Sequence, residues 1–385
     1  MRLYKYIPYI VAIIISATGC RSNRYSIFQY DNGDDYFKEG LQRIVNKEGK
    51  IGFADQKGKV IITPQYAFAF PFENGMSKAT YEGESVSEGE YHRWVSPDWF
   101  YIDHSGNMMQ SFEIIEAGLK AYIADKDARI GIAVIIDGKD TISVNGQRDF
   151  PMLSVYKFPQ ALNVADYCTR HGISISDSVQ ISAGEIKPDT WSPMRDRYGI
   201  RDLTLPISEL LEYSLQKSDN NACDILFRLT GGTQAADSLM KTMGFNDIVI
   251  ESTEEDMHED IYLCYLNRST PIEMARLFDS FYRLGMRYSS PVHDAIGSMM
   301  LSCNTGNGRL PAPLLPTNAT IAHKTGTGDR NSQGRIIGVN DAGYVTLPNG
   351  HSYAIAVFVA DSAYDMAETE KIIADISEIV LSGVR

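Results

Sequence analysis

The pattern of hydrophobic and polar positions divides the chain into two parts of different texture. Residues 26–109 hold short apolar runs broken by glycine and other turn residues, a pattern typical of small β hairpins. From Phe112 the pattern changes, because helical apolar spacing over 112–125 is followed by a continuous apolar run over 129–136, which predicts a buried strand. The sequence therefore predicts a small β-rich part ahead of a larger α/β part.

The larger part is predicted to be a sheet interrupted by helices. Residues 154–300 have mostly helical apolar spacing, and short apolar runs return only near the end. We predict strands, a turn and a closing helix there, over 321–325, 335–339, 343–347, 348–350 (the turn), 353–360 and 366–381 (the helix). Strands from both ends of a segment with an all-helical insertion indicate an α/β sandwich, in which an antiparallel sheet and the helical part meet at a cleft.

The first part contains an internal repeat. Residues 37–41 (FKEGL) recur as 72–76 (FENGM), and residues 53–58 (FADQKG) recur as 101–106 (YIDHSG). The unit resembles the WG repeat, with Ile51-Gly52 in place of its Trp-Gly. Repeats of this kind bury their faces against neighbours, and two copies are few for independent stability. We expect this part to be a spacer or a module that binds an envelope partner.

The N-terminal residues 1–19 read as a secretion signal. Basic residues precede an apolar run over 10–15 and small residues at 16–19, and the run is shorter than the roughly twenty residues of a membrane span. Residues 17–20 (ATGC) resemble a bacterial lipobox, although Ala17 stands where such boxes usually carry Leu. The resemblance implies an exported, periplasmic protein, held on a membrane surface by lipidated Cys20. Plain cleavage near Gly19 is the alternative.

Composition and charge act mainly by excluding functions. The chain has 385 residues, 44% of them hydrophobic, which suffices for two domains and a full-sized core. Its net charge of -13 leaves no basic patch, so we expect no nucleic-acid partner. Histidines and cysteines show no zinc-site spacing, so we predict neither a metal nor another cofactor. The cysteines at 168, 223, 264 and 303 have two possible interpretations, as two disulfides or as buried free thiols.

Three short motifs fall in one order along the larger part. They are Ser-x-x-Lys at 154–157, Ser-Asp-Asn at 218–220 and Lys-Thr-Gly at 324–326. Ser-x-x-Lys alone is weak, because it recurs at 214–217 and 238–241 and is usually a solvated helix face. The other two motifs occur once each, and only the first Ser-x-x-Lys has both downstream at domain-scale distances. The ordered set therefore indicates one site.

The motifs supply the parts of a nucleophilic site. On a predicted helix over 151–166, Ser154 and Lys157 share one face near the N-terminus, where the dipole stabilises an attacking alkoxide. The Lys157 amine can take or relay the serine proton, since serine is a weak nucleophile without such a neighbour. The segment 218–220 is expected on a connection after a helix over 208–217, and a plain helix N-cap is its alternative role.

The third motif is predicted to lie on a strand edge that binds an anion. Lys324, with the hydroxyls of Thr325 and Thr327, can bind a carboxylate there. Gly326 has no side chain, so a substrate can approach the backbone at this point. These residue types predict a site that holds a carboxylate-bearing substrate close to Ser154.

The residues and their order resemble the serine β-lactamase and penicillin-binding protein superfamily over 112–385. The resemblance implies that Ser218 passes a proton to the leaving lactam nitrogen and that Asn220 hydrogen-bonds the side-chain amide of the substrate. It also implies that the backbone N–H groups of Ser154 and Thr327 form an oxyanion hole.

The acidic segment after residue 250 resembles the omega loop of class A β-lactamases. The resemblance makes Glu254 the base that activates the hydrolytic water, with Glu255 as the alternative in the neighbouring register. It places His258 where many members carry an asparagine that holds this water. A solvated acidic loop without a catalytic role is the other interpretation, because charge runs usually are solvated.

Other positions are similar to the subclass A2 branch. Residues 187–194 (KPDTWSPM) and His258 match it, and Asn267 and Ser252 stand where many class A enzymes carry an ion pair of Asp and Arg. That branch includes cephalosporinases and extended-spectrum enzymes, so the resemblance implies cephalosporin and penicillin substrates. It makes Trp191 the aromatic wall of the cleft, with a core aromatic as the alternative.

The sequence therefore predicts a signal peptide over 1–19, a WG-repeat-like β domain over 20–111 and a class A β-lactamase-like catalytic domain over 112–385. We expect a monomer that hydrolyses the β-lactam ring through an acyl-enzyme on serine. One alternative is a penicillin-binding DD-peptidase or β-lactam sensor that acylates but deacylates slowly. The other is a non-catalytic envelope binding protein.

Overall fold

The computed structural model describes residues 25–30, 33–88 and 91–384, which form two compact units with a boundary at Met109 and Gln110. The predicted signal segment and Cys20 lie outside the described residues. No helix within the described ranges is long and apolar enough to cross a membrane.

The first unit consists of short antiparallel strands. In chain order, they are β1 (Tyr25–Ile27), β2 (Gln29–Tyr30), β3 (Gly33–Asp34), β4 (Leu41–Asn46), β5 (Ile51–Asp55), β6 (Val60–Tyr66), β7 (Phe68–Ala69), β8 (Ser77–Thr80), β9 (Glu84–Glu88), β10 (Tyr91–Val95) and β11 (Phe100–Ile102). The sheet of order β1-β4-β5-β6 carries most of its core, where Phe53 and Tyr66 are fully buried.

The predicted repeat appears in this unit as turns of one construction. The side chains of Asp55 and Asp103 each accept hydrogen bonds of 2.8–2.9 Å from the backbone N–H groups two and four residues later. The side chain of Asn46 accepts the equivalent two hydrogen bonds at 3.1 and 2.8 Å. This turn is therefore a third copy, which the repeats found in the sequence do not include. In each turn the glycine three residues later has a positive φ, a conformation that few other residues adopt.

The second unit combines strands with helices. Its strands are β12 (Arg129–Ile136), β13 (Asp140–Val144), β14 (Phe150–Pro151), β15 (Ser178–Ile181), β16 (Leu203–Pro206), β17 (Arg268–Ser269), β18 (Thr320–Thr327), β19 (Ile336–Thr346) and β20 (Ser352–Ser362). Its helices are α1 (Ser111–Ile123), α2 (Lys157–His171), α3 (Pro193–Tyr198), α4 (Ile207–Gln216), α5 (Asn220–Thr230), α6 (Gly232–Thr242), α7 (Glu254–Glu259), α8 (Pro271–Tyr282), α9 (Pro291–Leu301) and α10 (Met366–Val384).

A five-stranded antiparallel sheet of order β13-β12-β20-β19-β18 organises this unit, built from both ends of it as predicted. One face carries branched side chains such as Ile132 and Val357, which join a core with α1 and α10. The other face carries small ones such as Ala133 and Ala356, which join the core of the helical part. Small residues there let α8 pack close to the sheet.

The two predicted strands over 335–339 and 343–347 form one continuous strand, β19, so the predicted break between them is wrong. Asn340 and Asp341 lie between the two predicted strands, and both are buried. The Asn340 amide donates to the carbonyl oxygens of Pro151 and Met152 at 2.7 and 3.1 Å, and Asp341 lies 2.9 Å from His323. Buried polar groups with partners are compatible with a central strand.

The predicted helix start at Pro151 is also wrong. Pro151 belongs to β14, which pairs with β17, and the chain then enters a short 3-10 turn over Leu153–Tyr156 before α2 begins at Lys157. Leu153 has a φ of 49°, in the left-handed region that residues with a side chain rarely adopt. The unusual conformation falls directly before Ser154, at the junction of the sheet and the helical part.

Candidate active site

Ser154, Lys157 and Glu254 meet at this junction. Ser154 lies in the 3-10 turn, Lys157 begins α2, and Glu254 begins α7 after Thr253 caps that helix. Ser154 Oγ lies 3.4 Å from Glu254 Oε1, and Lys157 Nζ lies 2.9 Å from the same carboxylate oxygen. The structure therefore brings together the predicted nucleophile, its neighbouring lysine and the predicted base.

The groups around Lys157 keep its side chain protonated. The ammonium is fully buried and faces three acceptors, Ser218 O at 2.9 Å, Asn220 Oδ1 at 2.7 Å and Glu254 Oε1 at 2.9 Å. Burial alone would lower the pKa of Lys157, but the Glu254 carboxylate and the other groups around the ammonium, Asp219 among them, together raise that pKa above its ordinary value. Lys157 is therefore a cation at neutral pH, with all three N–H donors in use.

The middle motif combines a structural and a site role. Asp219 is buried and caps α5, accepting hydrogen bonds from Ala222 N–H at 2.9 Å and Met194 N–H at 2.7 Å, so the helix-cap interpretation applies to this residue. Asn220 begins α5 and donates to Thr190 Oγ1 at 2.8 Å while its Oδ1 faces Lys157. Ser218, with a φ of 58°, precedes both. The cap fixes the backbone that presents Ser218 and Asn220.

The last motif lies on β18, the edge strand of the sheet. Lys324 is fully buried, and its Nζ donates to Ser218 Oγ at 2.9 Å and to the Thr325 carbonyl at 3.0 Å. Burial lowers the pKa of Lys324 to about 7, and the nearby Lys157 charge acts in the same direction. The hydrogen bond between Lys324 and Ser218 thus connects the sheet edge to the helical part across the cleft.

Gly326 has a packing role that differs from the predicted one. A Cβ atom at this position would lie 2.5 Å from the Met152 carbonyl oxygen and 2.9 Å from Leu153 Cβ. Only glycine therefore lets β18 pack directly against the turn that carries Ser154.

Two hollows meet at Ser154, and they share Asn220, Glu254 and Thr327 as lining residues. The first hollow extends towards Trp191, whose side chain is 62% exposed, so its interpretation as a core aromatic is wrong. The Trp191 indole N–H donates to the Lys217 carbonyl at 2.9 Å, which fixes the ring at the rim. The second hollow is lined on its far side by Met257, Ile261 and His258.

The structure places His258 on the rim of the second hollow. This residue is exposed, and its Nε2 lies 3.0 Å from the Asp189 carboxylate. Glu255, the alternative to Glu254, is also exposed and forms an ion pair of 2.6 Å with Lys187. Of the two neighbouring glutamates, only Glu254 faces Ser154.

An amide takes the place of the ion pair in the segment that carries Glu254. Asn267 is fully buried, and its Oδ1 accepts hydrogen bonds from the N–H groups of Glu251 at 2.8 Å and Ser252 at 2.9 Å. Its Nδ2 donates back to the Ser252 carbonyl at 2.8 Å. Three hydrogen bonds from one side chain therefore tie the two ends of the segment together.

Sequence reasoning missed two residues of the site. Asp224 on α5 is largely buried and accepts hydrogen bonds from the N–H groups of Glu254 at 2.9 Å and Glu255 at 2.8 Å. Burial and the charge of Glu254 raise the pKa of Asp224 to about 7. Its position four residues after Asn220, on the same face of a helix, was a usable signal.

Arg309 is the second missed residue, and it comes from a loop without a motif. It is buried, and its guanidinium donates to Thr327 Oγ1 at 2.7 Å and to the Gly326 carbonyl at 3.0 Å. It also lines the first hollow. Arg309 thereby holds the outer end of β18 beside Ser154.

The fold and the site together define an acyl-transfer enzyme with a serine, a charged lysine and a carboxylate at the junction of an α/β sandwich. A model of the β-lactamase enzyme family matches residues 114–384, and a model of the WG containing repeat matches residues 51–83. The chain belongs to the β-lactamase enzyme family, as a class A serine β-lactamase that hydrolyses the β-lactam ring.

Individual relatives agree with this assignment. β-Lactamase VEB-1 of Pseudomonas aeruginosa is 39% identical over 267 residues, which cover 69% of this chain and 87% of that protein. The crystal structure of the TLA-1 extended-spectrum β-lactamase has a TM-score of 0.69 at 38% identity, covering 71% of this chain and 99% of its own. A class A β-lactamase of Bacteroides cellulosilyticus has a TM-score of 0.68 at 36% identity, with coverages of 72% and 99%.

Proposed function

We propose that Ser154 is the nucleophile of this enzyme, that Glu254 is its general base in both halves of the reaction, and that cephalosporins are among its substrates. The observation that supports the roles of the residues is the single Glu254 oxygen that lies 3.4 Å from Ser154 Oγ and 2.9 Å from Lys157 Nζ. Because Lys157 is already protonated, the carboxylate is the acceptor available to the serine proton.

Acylation starts with attack of Ser154 Oγ on the lactam carbonyl carbon, as its proton passes to Glu254. The charge of Lys157 stabilises the developing alkoxide. The backbone N–H groups of Ser154 and Thr327 are proposed to receive the oxyanion of the tetrahedral intermediate. When the C–N bond breaks, the nitrogen takes the proton of Ser218, whose hydroxyl accepts a hydrogen bond of 2.9 Å from Lys324. The proton that Glu254 took from Ser154 is then passed on to restore the Ser218 hydroxyl, so the Glu254 carboxylate is ionised again before deacylation.

Deacylation uses the same carboxylate. Glu254 takes a proton from a water molecule as the water oxygen attacks the ester carbonyl. The ester C–O bond then breaks, and the leaving Ser154 oxygen takes this proton from Glu254, which restores both side chains. This step separates a β-lactamase from a DD-peptidase or a slow sensor, so the placement of Glu254 beside Ser154 favours fast turnover over both alternatives.

The first hollow is proposed to hold the substrate. Thr325 and Thr327 line its β18 side, and buried Lys324 precedes them on the same strand; these three residues would bind the carboxylate of the drug. Asn220 would bind the side-chain amide, and Trp191 would form the opposite wall. The likeness to TLA-1, an extended-spectrum β-lactamase, supports the choice of cephalosporins.

Substitution of the two neighbouring glutamates tests this function. Glu254→Gln should lower turnover of a chromogenic cephalosporin by roughly a hundred- to ten-thousand-fold. Loss of the Glu254 charge removes a cause that raises the pKa of buried Lys157, so its neutral amine can take the serine proton in the variant. Acylation should therefore be slowed less than deacylation, and an acyl adduct on Ser154 should be visible by mass spectrometry. Glu255→Gln is the matched control, because this carboxylate is exposed and faces Lys187, and should keep most of the activity. Equal losses in the two variants, or a fast Glu254→Gln enzyme without adduct, would refute the role of Glu254.

Export and anchoring belong to the same proposal. The leader over 1–19 and the lipobox-like ATGC support secretion to the periplasm, with Cys20 lipidated. The Cys20→Ser variant should move from the membrane fraction to the soluble fraction, and mass spectrometry of the wild-type N-terminus should show acyl chains. A wild-type protein cleaved near Gly19 without lipid would show that ordinary signal peptidase processes the chain.

A further inference from the structure

A row of ionisable groups next to Lys324 has no part in the mechanism proposed above. His323 precedes Lys324 on β18, and its Nδ1 lies 2.9 Å from Asp341 Oδ1. The thiol of Cys303 interacts electrostatically with the same imidazole. His323 and Asp341 are both buried, at 2% and 0% exposure. Cysteine, imidazole and carboxylate in this order form the arrangement that activates cysteine nucleophiles in general.

The electrostatics of this row favour the thiolate. Burial opposes ionisation of Cys303, but His323, the nearby Lys324 charge and the Thr305 hydroxyl together lower the pKa of the thiol to about 7. Burial also opposes the charge on His323, whereas Asp341 and Cys303 raise the pKa of the imidazole to about 10. A thiolate and an imidazolium therefore coexist near neutral pH.

The remaining thiols of the second unit behave differently. They are free and buried, whereas Cys303 is a free thiol that is partly accessible. Burial raises the pKa of each of them, at Cys168, Cys223 and Cys264. The protein thus carries internal reference cysteines for any test of Cys303.

Hydrogen bonds connect Cys303 to the substrate side of β18. Cys303 Sγ lies 3.4 Å from Thr305 Oγ1, and Thr305 Oγ1 lies 2.6 Å from Thr325 Oγ1. Thr305 and Thr325 both line the first hollow. A change at the sulfur therefore lies two hydrogen bonds from the hydroxyl that is proposed to bind the substrate carboxylate.

We propose that Cys303 is a peroxide-reactive thiol whose oxidation weakens substrate binding at Thr325. The thiolate sulfur attacks one oxygen of hydrogen peroxide, the S–O bond forms and the O–O bond breaks. Sulfur is oxidised to sulfenic acid, peroxide is reduced, and the released hydroxide takes a proton from the His323 imidazolium to give water. The added oxygen competes for the Thr305 hydroxyl and so withdraws it from Thr325.

Two readouts on the full chain test the two halves of this inference. Native protein is treated with hydrogen peroxide and quenched, then unfolded and alkylated with iodoacetamide, so that each cysteine peptide reports its remaining thiol by mass spectrometry. Cys303 should be lost at least about tenfold faster than Cys168 or Cys264. The KM for a chromogenic cephalosporin should rise about fivefold, the equivalent of one hydrogen bond, and dithiothreitol should restore it.

The variant Cys303→Ser should show no peroxide-dependent rise in KM relative to its own untreated sample, and Cys303→Ala is a second variant should the serine protein be unstable. Oxidation of Cys303 no faster than that of the buried thiols would overturn the reactivity. Fast oxidation with an unchanged KM would overturn the coupling to Thr325. The coupling of Cys303 to Thr325 rests on the proposed function. The reactivity of Cys303 does not, because the loss of its thiol is measured without substrate and can be read for an inactive protein as well.

Discussion

Asp224 offers a quantitative test of the electrostatics around Glu254. Its carboxylate is largely buried, accepts two backbone N–H groups of α7 and lies close to the charge of Glu254. Burial is the main cause that raises its pKa from 3.8 to about 7. The folded protein therefore holds a proton on Asp224 over a range of pH in which the unfolded chain has released it. We expect the contribution of Asp224 to wild-type stability to fall as pH rises from about 4 to about 7.

The magnitude follows from the size of the shift. About three pH units at 1.36 kcal/mol each give about 4 kcal/mol of stability that Asp224 removes once it is ionised. The variant Asp224→Asn has no such charge, but its amide offers one acceptor oxygen to two N–H donors. The orphaned N–H costs about 1–3 kcal/mol at every pH. The variant should therefore be less stable than wild type near pH 4 and should gain up to about 4 kcal/mol on it by about pH 8.

Urea unfolding followed by far-ultraviolet circular dichroism measures this difference. The described helices, α1 to α10, all lie in the second unit, so the helical signal reports on the unit that contains Asp224. Subtracting wild type from variant at each pH cancels the groups that the two proteins share. Asp140→Asn, an exposed position on β13, controls for removal of one negative charge from a chain of net charge -13. A difference for Asp224→Asn that stays constant with pH would refute the reasoning.

Three further predictions concern the cleft. Gly326→Ala should lower kcat/KM by roughly tenfold or more and lower the melting temperature, because the new Cβ would lie 2.5 Å from the Met152 carbonyl oxygen and displace the serine turn. Asn267→Ala should destabilise the second unit by about 2–4 kcal/mol in urea unfolding, since it removes three hydrogen bonds to Glu251 and Ser252. Burial lowers the pKa of Lys324 to about 7, so the charge that binds the substrate carboxylate is lost as pH rises. KM should therefore rise several-fold between about pH 6 and about pH 9 in steady-state kinetics, and a constant KM would contradict this pKa.

The sequence predicted those parts of the site that come with fixed local spacing. Ser154 and Lys157 are three residues apart, so one turn of the chain presents both. The choice between Glu254 and Glu255 needed the structure, because both residues begin the same helix. In the structure, the Asp224 carboxylate accepts hydrogen bonds from the backbone N–H groups of both glutamates. The Glu255 side chain forms an ion pair with Lys187 at the surface and does not face Ser154.

The predictions that failed share one physical cause. The break predicted between residues 339 and 343 contains Asn340 and Asp341, yet both lie in the middle of β19 with partners from distant parts of the chain. Local pattern contains no information on such partners, because β14 and His323 approach β19 only in the folded state. The same holds for Arg309, whose contacts to β18 span 17 and 18 residues of sequence.

The buried charges at the junction of the sheet and the helical part lower the stability of the folded protein. Lys157, Lys324, His323 and Asp341 are all buried, and each transfer of a charge from water is unfavourable unless a partner offsets it. Lys157 has Glu254, and His323 has Asp341, but Lys324 donates only to neutral acceptors and keeps a lowered pKa. An anionic substrate would supply the missing partner and raise the pKa of Lys324 again. Above pH 7 the carboxylate therefore has to bind together with a proton, so the stabilisation that such a ligand gives should be largest below pH 7 and should shrink as pH rises.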